Sequence, residues 1–263
     1  MKKTTLFGIA ILMVILLSMP ISIYTSYFTQ PQEEDTQAIL EFILRFSSWG
    51  EELVDEWSRY KGEYETIPHI IAKINVLSGV VNIKGADEDI LYDVKAYSKI
   101  GLFTGKSEAR VDVKEFLYGD ALILIIRIES GFIDIHLSTE TLWKLDVEMT
   151  SGVAEINLDS LDDTAVNIGL SSGVVNMDID YKYMHNTPVN ILLSSGVLNV
   201  NIHPPNDVHP SVHGDVYSGI VSLDYYGVSK SYFSEFDVPG DESSIVYIVV
   251  ESGYCDMSIS YKE

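Results

Sequence analysis

One cysteine in 263 residues leaves no partner for an intrachain disulfide. With no second thiol to join a histidine, Cys-rich zinc sites are also excluded. Basic residues are scarce as well: Lys and Arg number 17 against 39 Asp and Glu, a net charge of −22. A nucleic-acid partner is therefore excluded, because affinity for phosphate depends on a basic surface. An acidic chain favours solubility and weak contact with cations or basic partners. The chain has no phosphate-cradling Gly-x-x-x-x-Gly-Lys and no Gly-x-Gly-x-x-Gly, and so offers no motif for nucleotide or dinucleotide chemistry. Its one Gly-x-Ser-x-Gly match, Gly169 to Gly173, falls on a recurring Ser-Gly corner that turn chemistry explains better than a nucleophile does. No cofactor is implied, and we expect a protein that is not an enzyme.

What the chain has in abundance is a Ser-Gly doublet. It occurs at Ser78-Gly79, Ser130-Gly131, Ser151-Gly152, Ser172-Gly173, Ser195-Gly196, Ser218-Gly219 and Ser252-Gly253. The middle spacings are 21, 21, 23 and 23 residues, a period expected of stacked repeats. Two residues before each serine stand Val76, Ile128, Met149, Leu170, Leu193, Val216 and Val250. Further apolar columns lie four and six residues upstream, interrupted only by Gly214. After the glycine the same alternation resumes with Val81, Ile133, Ala154, Val175, Leu198, Val221 and Cys255. A period of two is that of a strand with one buried face. Each unit thus reads as strand, tight corner, strand and return, with Cys255 a buried structural thiol. A single unit cannot bury its inner face alone, whereas stacked units share a core. The sequence predicts an all-β fold, a single β-solenoid (β-helix-like) repeat domain over 70–263.

The outward column after each corner is polar: Asn82, Asp134, Glu155, Asn176, Asn199, Ser222 and Asp256. From it Asp134, Glu155, Asn176 and Asn199 are taken as a candidate binding surface. The period breaks between Gly79 and Gly131, where Val94–Ser98 reads as a degenerate copy. It breaks again near the end, where an insertion spans Tyr225 to Ser244. That insertion packs five aromatics into the twelve residues from Tyr225 to Phe236. Tyr226, Tyr232, Phe233 and Phe236 complete the candidate surface, either as a ligand-binding lip or as cover for the last coil.

Residues 1–29 read as a signal or transmembrane anchor. Lys2 and Lys3 precede the uncharged run from Leu6 to Tyr24, near the ~20 residues needed to cross a bilayer. The flanking charges put the amino terminus in the cytoplasm and the rest of the chain outside it. If the segment is cleaved, the product is secreted. Residues 30–69 read as a linker and amphipathic helix, with Ile39, Phe42, Phe46, Trp49, Leu53 and Trp57 on one face from Asp35 to about Tyr60. Its acidic polar face favours capping the first coil over lying on a membrane.

Three histidines, His203, His209 and His213, fall in one Pro-rich return with Asp207 and Asp215 nearby. They are the only set that suggests a transition metal, yet their spacing matches no tight ligand motif. Asp159, Asp162, Asp163, Asp178 and Asp180 could hold a divalent cation between coils, but an exposed acidic face is the simpler reading.

The stretches Thr150-Ser-Gly-Val-Ala-Glu-Ile156, Ser171-Ser-Gly-Val-Val-Asn-Met177 and Ser194-Ser-Gly-Val-Leu-Asn-Val200 resemble the DUF4097 family of proposed adhesins, also grouped with toast-rack domains. The resemblance covers roughly Ile70 to Tyr261. It implies an extracytoplasmic β-repeat domain attached to a membrane segment, with adhesion or envelope sensing as its role. It supplies no active-site motif. The expected partners are a cell-envelope protein or glycan, the membrane itself through the N-terminal helix, and divalent cations at most weakly. Competing expectations are a carbohydrate-active β-helix enzyme using outward carboxylates and a structural envelope or filament subunit.

Overall fold

A computed structural model describes residues 51–101, 105–185 and 187–262. The anchor expected over residues 1–29, and the expected helix up to residue 50, lie outside the described residues. Among the described residues no helix is long and apolar enough to cross a membrane.

The described chain is all-β. Its strands are β1 (Glu51–Tyr60), β2 (His69–Val76), β3 (Val80–Gly85), β4 (Ile90–Gly101), β5 (Gly105–Ser107), β6 (Arg110–Tyr118), β7 (Ala121–Ser130), β8 (Phe132–Leu137) and β9 (Leu142–Met149). There follow β10 (Val153–Asp162), β11 (Ala165–Leu170), β12 (Val174–Tyr183), β13 (Thr187–Leu193), β14 (Val197–His203), β15 (Pro210–Tyr225), β16 (Val228–Tyr232), β17 (Phe236–Val238) and β18 (Asp241–Ile259).

Five Ser-Gly doublets join two strands of one coil, the other two divide the continuous strands β15 and β18 into halves, and the coils pair in parallel, rung on rung. One flank is the ladder β7, β2, β9, β11, β13, first half of β18, first half of β15. The other is β8, β3, β10, β12, β14, second half of β18, second half of β15. The apolar columns face each other between the flanks: Ile74, Ile126, Val147, Ile168, Ile191 and Ile248 from one, Ile83, Ile135, Ile156, Met177, Val200 and Met257 from the other, all buried. The stacked coils therefore fit the solenoid expectation.

The corners are stitched through their backbones. Val153, Val174, Val197 and Tyr254 donate their N–H groups to the carbonyls of Gly79, Gly152, Gly173 and Gly196, at 2.9–3.0 Å. Gly173 sits at φ +121°, and a Cβ there would lie 2.3 Å from the Gly152 carbonyl oxygen. Glycine is thus required twice, for the left-handed backbone and for the close approach of the next rung.

At both ends the stacking order departs from chain order. The coil β2–β3 comes first in the chain but lies second in the stack, inside β7–β8. The coil β15 precedes β18 in the chain but lies outside it. Antiparallel strands then close each end. β6 covers β7, β4 covers β8, and β1 covers β4; at the far end β17 and β16 cover the two halves of β15.

Two sequence expectations are corrected here. Residues 51–60 form strand β1 and not the end of a helix. The open edge of β4 offers a row of unpaired backbone groups, and pairing with it outweighs the helical spacing of Leu53 and Trp57. Val94–Ser98 belongs to β4, which runs antiparallel to β8, so it is an end cover and not a degenerate coil.

Candidate interaction surface

The outward polar column is continuous across the second flank. In stack order it reads Asp134, Asn82, Glu155, Asn176, Asn199, Asp256 and Ser222, each in register with the next. Asn82 Nδ2 donates to Asp134 Oδ1 at 3.1 Å, and Asn199 Nδ2 to Asn176 Oδ1 at 2.8 Å. Parallel pairing stacks like residues, so Asn82 and Asn199 each donate to the rung beside them, while Asn82 Oδ1 is buried without a partner. The four ladder residues expected from sequence thus share one half-exposed stripe. Beside it, nearer the corner, runs an apolar stripe of Phe132, Val80, Val153, Val174, Val197, Tyr254 and Ile220, each partly exposed. A second, shorter amide ladder lies on the first flank, where Asn190 donates to Asn167 at 2.6 Å and Asn167 donates to Asp146.

The aromatic insertion divides. Tyr226 and Gly227 form the two-residue turn between β15 and β16, both at positive φ. The Tyr226 hydroxyl donates to the Val208 carbonyl at 2.9 Å, and its ring meets Tyr225 edge-on. Phe236 is buried and its ring lies over Gly214, whose missing side chain leaves the room. Tyr232 stacks on Phe236 with centroids 3.9 Å apart. These three aromatics fold back onto the last coil. Phe233 alone of the four points into solvent, 66% exposed.

The histidines take separate partners. The two ring nitrogens of His203 face the Ser260 carbonyl at 3.0 Å and Asp178 at 3.3 Å. His209 packs against Tyr226 and Tyr261. His213 bonds Asp237 at 2.5 Å and stacks on Tyr247. Among the described residues no group of three or more His, Cys, Asp or Glu is placed to hold a metal ion. Of the acidic residues weighed for a cation, Asp159 and Asp180 share the ammonium of Lys262 at 2.8 and 3.2 Å. Cys255 occupies its inward column, and burial pushes its thiol up to about 12.

Two features had no place in the repeat columns. The β6–β7 hairpin exposes Phe116, Leu117 and Tyr118 in succession. Trp143 is the extra residue of a β-bulge: Ile70 pairs with Leu142 and Ile71 with Lys144, leaving Trp143 unpaired between them. The sequence signal for this bulge is the pair of non-core residues, Trp143 and Lys144, between inward Leu142 and Leu145.

No family model matches this chain, and no curated protein matches it either. A solved structure from Clostridium sporogenes, provisionally described as a cell adhesion protein, is similar over 81% of this chain and 100% of that one, with a TM-score of 0.52 at 15% identity. That likeness shows a shared fold. A provisionally described adhesin from Bacteroides fragilis (TM-score 0.19, 10% identity, 78% of this chain and 97% of that one) is too distant to carry an argument.

Proposed function

We propose that this chain is an extracytoplasmic adhesion or envelope-interaction module, held at the membrane by residues 1–29 and working without catalysis. The observation that carries this reading is the second flank. There an amide-carboxylate ladder and an apolar stripe run side by side over seven rungs, at the ~4.8 Å spacing of paired strands. A surface that repeats at fixed intervals suits an extended partner with its own repeat, a glycan or an envelope protein. It is presented on a β-solenoid whose core is filled by apolar columns. The fold shared with the Clostridium sporogenes protein agrees with this role. A net charge of −22 disfavours direct contact with anionic lipid, so on this reading membrane proximity comes from the anchor.

The test uses the full chain, cross-linked in its native membrane and recovered for mass spectrometry, alongside a glycan array. The substitution pair Asn176→Arg and Asn199→Arg, with Phe233→Ala as a separate variant, maps the face. Capture of one envelope protein or glycan class that weakens at least tenfold in the ladder variant supports the reading. Capture insensitive to the ladder and to Phe233, with both variants folded, removes it.

A further inference from the structure

On the opposite flank, at the edge away from the Ser-Gly corners, His69, Glu140, Trp143, Lys144, Asp162 and Asp163 are the polar and aromatic lining of one open groove of ≈ 530 Å³. The bulge that expels Trp143 from the ladder leaves its indole 45% exposed, and bulges of this kind re-aim side chains next to functional sites. One face of that indole is held by His69, whose ring stacks on it at 3.7 Å and 17°. The His69 Nδ1 is buried without a hydrogen-bond partner, so the imidazole serves there as a flat support. The groove is also acidic. Lys144 is matched by Asp146 at 3.0 Å, and Glu140 by Lys61 at 3.1 Å. Asp163 Oδ1 accepts from the His185 backbone N–H at 2.7 Å. Among the described residues neither Asp162 nor Asp163 has a cationic partner.

A supported, half-exposed indole beside two carboxylates without counter-ions is the chemistry that recognises an organic cation. The negative ring face attracts an ammonium, tryptophan most strongly of the aromatics, and the carboxylates supply charge. We propose that this groove binds an alkylammonium group, borne either by a free amino sugar or by a choline-type headgroup. It lies across the stack from the amide ladder, so this proposal and the adhesion reading stand or fall separately.

The test titrates the full chain in detergent micelles with choline chloride and with glucosamine. N-acetylglucosamine is the neutral control, and sodium chloride is held constant. Indole fluorescence and the tryptophan N–H resonances are followed, with Trp143 assigned through Trp143→Phe. The expected result is saturable millimolar binding of choline, glucosamine or both, at least tenfold tighter than N-acetylglucosamine. It weakens tenfold or more in Trp143→Ala and about threefold in Asp162→Asn, while far-ultraviolet circular dichroism stays unchanged. Saturation by choline alone assigns the headgroup as the source, and by glucosamine alone the amino sugar. Equal binding of the neutral sugar, indifference to Trp143→Ala, or no saturation by either cation would overturn the proposal.

Discussion

A residue in this molecule is constrained by what lies one rung away more than by what lies next to it in the chain. Gly173 and Gly119 are both at positive φ, but only Gly173 has a carbonyl pressed against the place of its missing Cβ. Gly119→Asn should therefore be nearly neutral. Gly173→Ala adds a clash with the next rung to a backbone strain of ~1–3 kcal/mol, and chemical denaturation should show it clearly less stable. The same logic separates neighbouring aromatics. Phe236→Ala uncovers Gly214 and leaves a cavity, a loss of about 3–5 kcal/mol, whereas Phe233→Ala should leave the denaturation midpoint where it was. Cys255, buried and with its thiol pushed up to about 12, should resist alkylation at neutral pH until the chain unfolds; prompt labelling of the folded protein would contradict the packing.

Among the elements, the end covers are held differently from the coils. Coils share a core and a backbone ladder on both sides. The cover on the β7–β8 end depends on side chains that tie its strands together. Arg59 of β1 donates through Nε to Glu115 of β6 at 3.0 Å, and Tyr92 of β4 donates its hydroxyl to the same carboxylate at 2.7 Å. Burial alone would raise the Glu115 carboxyl, but the hydrogen bonds from Tyr92 and Arg59 outweigh it and hold the group below its ordinary 4.5. A lowered folded-state value contributes stability that is fully present above the unfolded-state value and lost as pH falls through the folded one. Protection of the β1 and β6 amides, taken relative to the intrinsic exchange rate at each pH, should thus fall on acidification below about pH 4.5, before protection in β11–β14 does. In Glu115→Gln that acid-dependent step should disappear, with the cover looser at every pH.

At the scale of the whole molecule, the order of the coils is the property most open to test. Asn82 and Glu155 are 73 residues apart in the chain yet paired across β3 and β10. Asp134 and Glu155 are nearer in sequence but lie on opposite sides of β3, two rungs or ~9.6 Å apart. Cysteines at 82 and 155 should form a disulfide under mild oxidation. Cysteines at 134 and 155 should not, because a bridge cannot span Cα atoms more than ~7 Å apart. Ready oxidation of the second pair would mean that the coils stack in chain order.

The sequence by itself determined the coil. Alternating apolar columns have a period of two that only a strand satisfies, and a glycine at each corner marks where the strand must turn, so the five inward columns, Cys255 included, were legible without coordinates. Residues 51–60 carry only Leu53 and Trp57 of the helical pattern, and a spacing of four also keeps two side chains on one face of a strand, so only the unpaired edge of β4 decides between them. The swapped order at both ends was likewise invisible: every coil presents the same column of side chains to its neighbour, so local pattern does not distinguish one neighbour from another. Long-range backbone pairing made that choice. It also divided the aromatic insertion, since Phe236 is drawn inward by the space over Gly214 while Phe233, one residue past Tyr232 where β16 ends its pairing with Val221, finds no such space and stays in water.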